Sequence, residues 1–292
     1  MRLAEMFEAK KFIVCAQLRP PRGAGAALLA ETAGRLRNAV DAVTIADNGG
    51  ARLAMSPLAA AALLSGGGLE VIATLSCRDR NRLALEADIL GAAALGIGNL
   101  LLVSGEHPRL GDHASALPVY DLDSVQLLQA ARSLAEGRDL AGGLVNPAPK
   151  LLLGAAANPS ARPLEPHLLK LEKKVRAGAS FVITQPVFDL KRYADFARRA
   201  RELGLKVLAG VRVLCTADIE RFEARRLPGV HIPPELIERV RFGGNGGLDE
   251  GVAIAAEVVK SLHTLKAADG VHFTGVAGRE HLLPVVLKQA AI

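Results

Sequence analysis

A chain of 292 residues, half of them hydrophobic and 23% charged, can bury a large core and is not a disordered polymer. Its six excess positive charges and pI near 9.4 raise nucleic acid as a partner, but Lys and Arg are spread over helix surfaces and form no single tract. With two Tyr, eight Phe and no Trp, stacking platforms are hard to build, so a small anion such as a phosphate or carboxylate is the expected ligand and no nucleic acid is expected.

The start, MRLAEMFEAKKF, lacks the apolar core of a signal peptide, and no apolar run reaches the roughly 18 to 20 residues that span a bilayer. A cytoplasmic location with no membrane span is expected. Cys15, Cys77 and Cys215 are odd in number and far apart, so neither a disulfide framework nor a metal-ligand spacing is present. Runs rich in Val, Ile and Leu predict strands near 12–18, 42–46, 70–75, 99–103, 151–156, 180–184, 206–212 and 270–275. Between them, Ala- and Leu-rich amphipathic stretches predict helices near 26–37, 52–65, 80–95, 122–136, 164–177, 189–203, 217–226 and 248–265, with a last one near 279–290 and an extra turn at 234–241. Strict alternation implies parallel strands joined by right-handed crossovers, and eight strands make a (β/α)8 TIM barrel, a single domain over residues 1–292. The cluster Gly243-Gly244-Asn245-Gly246-Gly247 matches neither a dinucleotide fingerprint nor a P-loop, and reads as the flexible entry to the helix at Leu248. Gly91 to Gly98 also fails the dinucleotide spacing, which leaves a doubly wound nucleotide domain as the weaker fold.

Chemistry in such barrels sits where strands end. The C-terminal strand ends carry Gln17, Asp47-Asn48, Ser76-Cys77-Arg78-Asp79, Ser104-Gly105-Glu106-His107, Asn158, Thr184-Gln185, Arg212 and Thr274. The stretch Leu168 to Asp189 shows the pattern best: a basic amphipathic helix turns at Gly178 into a buried strand that delivers Thr184 and Gln185 at its far end. A strand-end polar cap is the plainer alternative for Gln185 alone. No H-E-x-x-H, no G-x-S-x-G and no cluster of His, Cys and carboxylate is present, so metal-dependent hydrolysis is not expected. A mouth of amides, hydroxyls and a few charges, without a nucleophile–base pair, suits an enzyme whose cofactor carries the difficult step, for example a flavin.

From about Phe12 onward the chain resembles the methylenetetrahydrofolate reductase family, in its short bacterial type. The resemblance rests on Val14-Cys15-Ala16-Gln17-Leu18-Arg19-Pro20-Pro21-Arg22, on Leu75-Ser76-Cys77-Arg78-Asp79 and on Ser104-Gly105-Glu106. Tyr120-Asp121-Leu122-Asp123-Ser124, Asn158-Pro159, the Lys170-to-Gly178 helix, and Ile183-Thr184-Gln185 with Phe188-Asp189 extend it.

The resemblance implies a flavin-binding barrel that interconverts 5,10-methylene- and 5-methyltetrahydrofolate. It implies FAD as cofactor, with FMN open, and contacts from Ala46, Asp47, Thr74, Ser104, Gly105, Glu106, Tyr120, Asp123, Ala156 and Asn158. His167, Lys170 and Lys174 would meet the diphosphate, although Lys170, Lys173 and Lys174 also read as a solvated face. Gln185 would hydrogen-bond the pterin. Glu106 stands where the family has an aspartate and would stabilise the cationic folate. Gln17 replaces the family's general-acid glutamate, and an amide delivers no proton near neutral pH. Arg19, His107 or an ordered water stay open as substitutes. Tetrahydrofolate is the implied substrate, with a nicotinamide nucleotide or a redox partner protein as electron donor. Apolar positions on the outer helices permit a homo-oligomer or a second subunit. Two alternatives remain: a folate- or flavin-binding subunit without its own turnover, motivated by Gln17, and a flavin-free folate-dependent methyltransferase barrel.

Overall fold

The structure is a computed structural model that describes residues 2–9, 11–225 and 231–292. Its strands are β1 (Ile13–Leu18), β2 (Ala42–Ile45), β3 (Glu70–Ser76), β4 (Asn99–Val103), β5 (Leu152–Ala157), β6 (Phe181–Pro186), β7 (Lys206–Val211) and β8 (Gly270–Phe273). All pair in parallel with their sequence neighbours, and β8 returns to β1, so the sheet closes into an eight-stranded barrel. The helices are α1 (Leu3–Glu8), α2 (Ala26–Leu36), α3 (Pro57–Ser65), α4 (Arg82–Ala94), α5 (Ser124–Ala135), α6 (Glu165–Arg176), α7 (Leu190–Glu202), α8 (Thr216–Arg225), α9 (Pro234–Phe242), α10 (Leu248–Thr264) and α11 (Leu283–Ala290). This is the (β/α)8 barrel expected from the alternation.

Side chains alternate along each strand, which divides the core in two. Outward residues such as Val43, Ile45, Leu100, Val182 and Phe273 pack against the helices. Inward residues Ile13, Cys15, Ile72, Leu101, Phe181 and Leu208 fill the ring, joined by Leu3, Met6 and Phe7 of α1. That short helix was not expected from the sequence. It plugs the N-terminal mouth: the Phe7 and Phe181 rings lie 5.9 Å apart, and Glu70 Oε1 accepts from Leu3 N at 3.0 Å and from Asn99 Nδ2 at 2.7 Å. The N-terminal face thus carries a part-buried polar clasp, and ligands are left the C-terminal mouth.

Other departures have local causes. The helix expected from residue 52 begins at Pro57, where proline suits a first helical turn, and the preceding segment is held as loop by Ala54 N donating to Asn48 Oδ1. The expected helix 217–226 is α8, Thr216–Arg225, and residue 226 lies outside the described residues. The expected helix 279–290 opens with a 3-10 turn at Glu280–Leu282 before α11. The glycine cluster does lead into α10: Gly247 has φ +79°, and a Cβ there would lie 2.2 Å from the Val240 carbonyl oxygen. No described helix is long and apolar enough to cross a membrane.

Phe181 fits inside the ring only because its neighbour on β5 has no side chain. A Cβ on Gly154 would sit 2.2 Å from the Phe181 ring, which is fully buried and cannot retreat. Gly154→Ala should therefore cost about 1–3 kcal/mol of stability, and Phe181→Leu in the same chain should recover part of it. Urea unfolding checks this, and an unchanged midpoint for Gly154→Ala would contradict the packing described.

Candidate functional site

The β2–β4 sector of the C-terminal rim is built around Asp47, the second residue after β2. Its Oδ2 accepts from Ser76 N and Ser76 Oγ, both at 2.8 Å, and from Arg80 Nη2. Arg80 also reaches Asp88 on α4 at 2.7 Å, so one buried carboxylate ties β2, β3 and α4 together. Arg78 is buried in a two-pronged pair with Asp79, at 2.7 and 2.6 Å. That bond holds the Asp79 carboxyl below its usual range. Gly105, with φ +85°, lets the β4 loop lie against this layer, since a Cβ would come 2.9 Å from Arg78 Cβ and 3.0 Å from Ser76 Cβ. Tyr120 closes over it, donating its hydroxyl to the Gly105 carbonyl at 3.2 Å.

The β5–β6 sector contains the least expected charge. Lys174, on α6, is only 8% exposed, and its Nζ donates to the Ala156 carbonyl at the end of β5 at 2.7 Å. Among the described residues no carboxylate forms an ion pair with it. Burial, followed by repulsion from Lys170, pushes its pKa down to about 8, and Asp123 opposes this at longer range. A lysine leaning toward the N-terminal end of its helix brings its ammonium under the rim. His167 and Lys170 lie on the same helix and are exposed. Asp123 caps α5, its Oδ1 accepting from Val125 N at 2.8 Å and Gln126 N at 2.9 Å.

In the β7–β8 sector Asp218 is buried beneath three groups. It accepts from Arg212 Nη2 at 2.7 Å, from Arg279 Nη1 at 2.8 Å and from the Cys215 thiol at 3.5 Å. Burial alone would raise its carboxyl, but the two arginines outweigh it and hold the pKa low. Arg19, two residues beyond Gln17, is exposed and sits in the field of Arg52, Arg212 and Arg221. Partial desolvation first and that repulsion second lower its pKa, with Glu106 alone opposing. This side of the mouth is therefore electropositive.

The residues expected at the site occupy one rim. Gln17 is half-buried at the penultimate position of β1 and Gln185 is exposed at the penultimate position of β6. Glu106 is exposed in the β4 loop, its Oε2 near Gly50 on the same side as the Arg19 guanidinium. Asn158 follows β5 directly and caps its own turn by accepting from Ser160 N at 3.0 Å. Ala46, Asp47 and Thr74 are buried, Ser104, Gly105 and Ala156 half-buried. Sequence reading did not single out Arg80, Asp218, Arg279, Thr44 or His272. The alternation in Gly270-Val271-His272-Phe273 was the available signal for His272, because outward Val271 and Phe273 force it inward.

Among the described residues no group of His, Cys, Asp and Glu could hold a metal ion. The fold and site define a (β/α)8 barrel whose single polar rim suits an anionic organic ligand. The sequence model for methylenetetrahydrofolate reductase matches residues 2–291, and the chain belongs to that family. A Caenorhabditis elegans relative named probable methylenetetrahydrofolate reductase (NADPH) is 24% identical over 243 residues, covering 80% of this chain. This chain matches only 34% of that relative's length. Among solved structures, a Clostridium thermocellum protein described as binding two copies of 5-methyl-5,6,7,8-tetrahydrofolic acid superposes with a TM-score of 0.66 at 16% identity, over 98% of this chain and 96% of that one. The coenzyme F420-dependent tetrahydromethanopterin reductase of Methanopyrus kandleri gives 0.59 at 11% identity, over 96% and 98%. These two likenesses are likenesses of fold.

His272 is fully buried, and burial pushes its pKa from 6.5 down to about 4. The unfolded chain therefore binds a proton that the folded one refuses between those values, so this contribution is complete above pH 6.5 and is lost as pH falls toward 4. The loss should be on the order of 3 kcal/mol over that window. Urea unfolding at stepped pH checks it; a flat profile between pH 6.5 and 5, or an identical slope in His272→Gln, would contradict it.

Proposed function

We propose that the chain is an oxidoreductase that interconverts 5,10-methylene- and 5-methyltetrahydrofolate with a bound flavin. The observation that carries the flavin is Lys174. A buried ammonium with one bond to a carbonyl and a depressed pKa is a seat for an anion, and the remaining N–H groups suit phosphate oxygens. The donor set fits: Lys174, Lys170 and His167 of α6 would hold a diphosphate, with Ala156, Asn158, Tyr120 and the Ser104-Gly105 turn along the rim. FAD, which has such a diphosphate, is the proposed form; FMN is the alternative. When bound, a flavin supplies the two-electron hydride chemistry that no side chain here can.

Gln185, exposed at the end of β6, would donate to and accept from the polar edge of the pterin. Glu106 would stabilise positive charge on the folate as its one-carbon bridge opens, on the same side of the mouth as the Arg19 guanidinium. The bridge nitrogen released in that opening takes a proton. Gln17 cannot give it, so water entering the open mouth is the proposed source. The electropositive β7–β8 side would attract anionic folate and nicotinamide nucleotide alike, and the NADPH named for the relative supports nicotinamide over a redox partner protein as electron donor.

Gln17 also favours a second reading, a folate- and flavin-binding subunit without turnover. Anaerobic mixing of flavin-loaded protein with 5-methyltetrahydrofolate separates the two. Bleaching of the flavin band is expected, and folate that binds without bleaching would support the subunit. Gln17→Glu should accelerate bleaching by about 10²-fold or more, the lower part of the range for a positioned acid. Lys174→Met should weaken flavin binding by about 10–100-fold, the worth of a charge-assisted hydrogen bond. Wild-type affinity should also fall as pH rises through about 8, where Lys174 loses its charge. Equal flavin affinity for the variant and wild type would remove Lys174 from the site.

A further inference from the structure

Strand β6 keeps step with its two neighbours unequally. Toward β5 the register runs unbroken from Phe181 opposite Gly154 to Thr184 opposite Ala157. Toward β7 it runs from Phe181 to Ile183, opposite Leu208, and resumes at Pro186, opposite Gly210. Thr184 and Gln185 together thus face the single residue Ala209, and β6 carries a one-residue bulge on its β7 edge just where it reaches the mouth. A bulge takes ladder groups away from their usual partners, and here they are out of reach of water: Thr184 is 3% exposed and Gly210 is buried.

The Thr184 hydroxyl fills the gap. It accepts from Gly210 N at 2.9 Å and donates to the Gln185 carbonyl oxygen at 2.8 Å. The ladder restarts beyond it, with Val187 N donating to the Gly210 carbonyl at 2.9 Å. A hydroxyl has one hydrogen to give, and this one gives it to Gln185, so its orientation is fixed. The bulged main chain lies directly on β7: a Cβ on Gly210 would fall 2.4 Å from the Thr184 carbonyl oxygen and 2.7 Å from that of Gln185. Pro186, next in line, has no N–H with which to rebuild a regular ladder.

We propose that Thr184 is a positioning residue: by splicing the β6–β7 ladder with its hydroxyl it fixes the Gln185 main chain, and so the direction in which the Gln185 amide enters the mouth. The proposal rests on the reading of Gln185 as a partner of the pterin. Phe181 and Ile183 point into the ring and Val182 points out, so alternation gives Gln185 the inner side, at the level where the strand opens to the mouth. The peptide carbonyl of that same residue is the one the hydroxyl holds. Valine at position 184 would keep the shape while stranding the Gly210 N–H and the Gln185 carbonyl, and β6 would shift to satisfy them, carrying Gln185 along.

Calorimetry with 5-methyltetrahydrofolate and with FAD tests this. Thr184→Val should bind folate about tenfold more weakly and FAD within about twofold of wild type, and Thr184→Ser, which keeps the hydroxyl, should bind folate within about threefold. Adding Thr184→Val to Gln185→Ala should cause no further loss of folate affinity. Undiminished folate binding by Thr184→Val, an equal loss of FAD, no recovery in Thr184→Ser, or the full loss repeated in the Gln185→Ala background overturns the proposal. Melting curves identify a variant that does not fold, and Thr184→Cys, similar in size and a weak hydrogen-bonder, then replaces Thr184→Val. Should the wild type bind no folate or no FAD, or Gln185→Ala bind folate as tightly as the wild type, the functional reading fails at that point. A crystal structure of the valine or cysteine variant without ligand then decides: a Gln185 main chain left in its wild-type place overturns the proposal, and a displaced one upholds it.

Discussion

The pairing of β8 with β1 is the constraint on which the rest of the structure depends. Gly270 makes it possible, because a Cβ there would fall 2.2 Å from the Ile13 carbonyl oxygen and hold the two strands apart. With that seam closed, no strand edge remains, every strand points the same way, and all eight C-terminal ends fall on one rim. Gln17, Glu106, Asn158 and Gln185 come from four separated parts of the chain, and closure is what makes them neighbours of one mouth. The plug formed by α1 completes the asymmetry by sealing the other end.

Charge is organised on the same plan. The net excess of six positive charges does not form a single sequence tract, and several arginines and one buried lysine lie at the rim. Two buried carboxylates each bind adjacent βα loops into one layer: Asp47 pairs with Arg80, and Asp218 pairs with Arg212 and Arg279, which would otherwise repel one another. Among the described residues Lys174, under the β5 end, is left without such a partner. A desolvated cation with no carboxylate is costly to keep and is compensated when an anion arrives. Such a pattern belongs to a binding site more readily than to a stabilising network.

Periodicity made the barrel legible before any coordinate. Continuous apolar runs such as Leu100-Leu101-Leu102 are buried on both faces, as parallel strands between a ring and a layer of helices must be. The strand ends followed from those runs, and with them the polar residues of the mouth. Less legible was whatever depends on depth. Lys170, Lys173 and Lys174 look alike in sequence, and only the packing of α6 onto β5 separates the buried one from its exposed neighbours. Nor does pattern reveal that Asp47 is consumed by Ser76 and Arg80. The helix α1 escaped notice because six residues carry too little periodicity to distinguish a plug from a loose end.

A crystal structure of the protein grown with FAD and 5-methyltetrahydrofolate tests the central claim most directly. The account predicts flavin density across the C-terminal rim, with its diphosphate on Lys174 and the pterin against Gln185 and Glu106. Density confined to another surface, such as the groove between α5 and α6 lined by Arg132 and Lys173, or a rim that stays empty at saturating ligand, would contradict it.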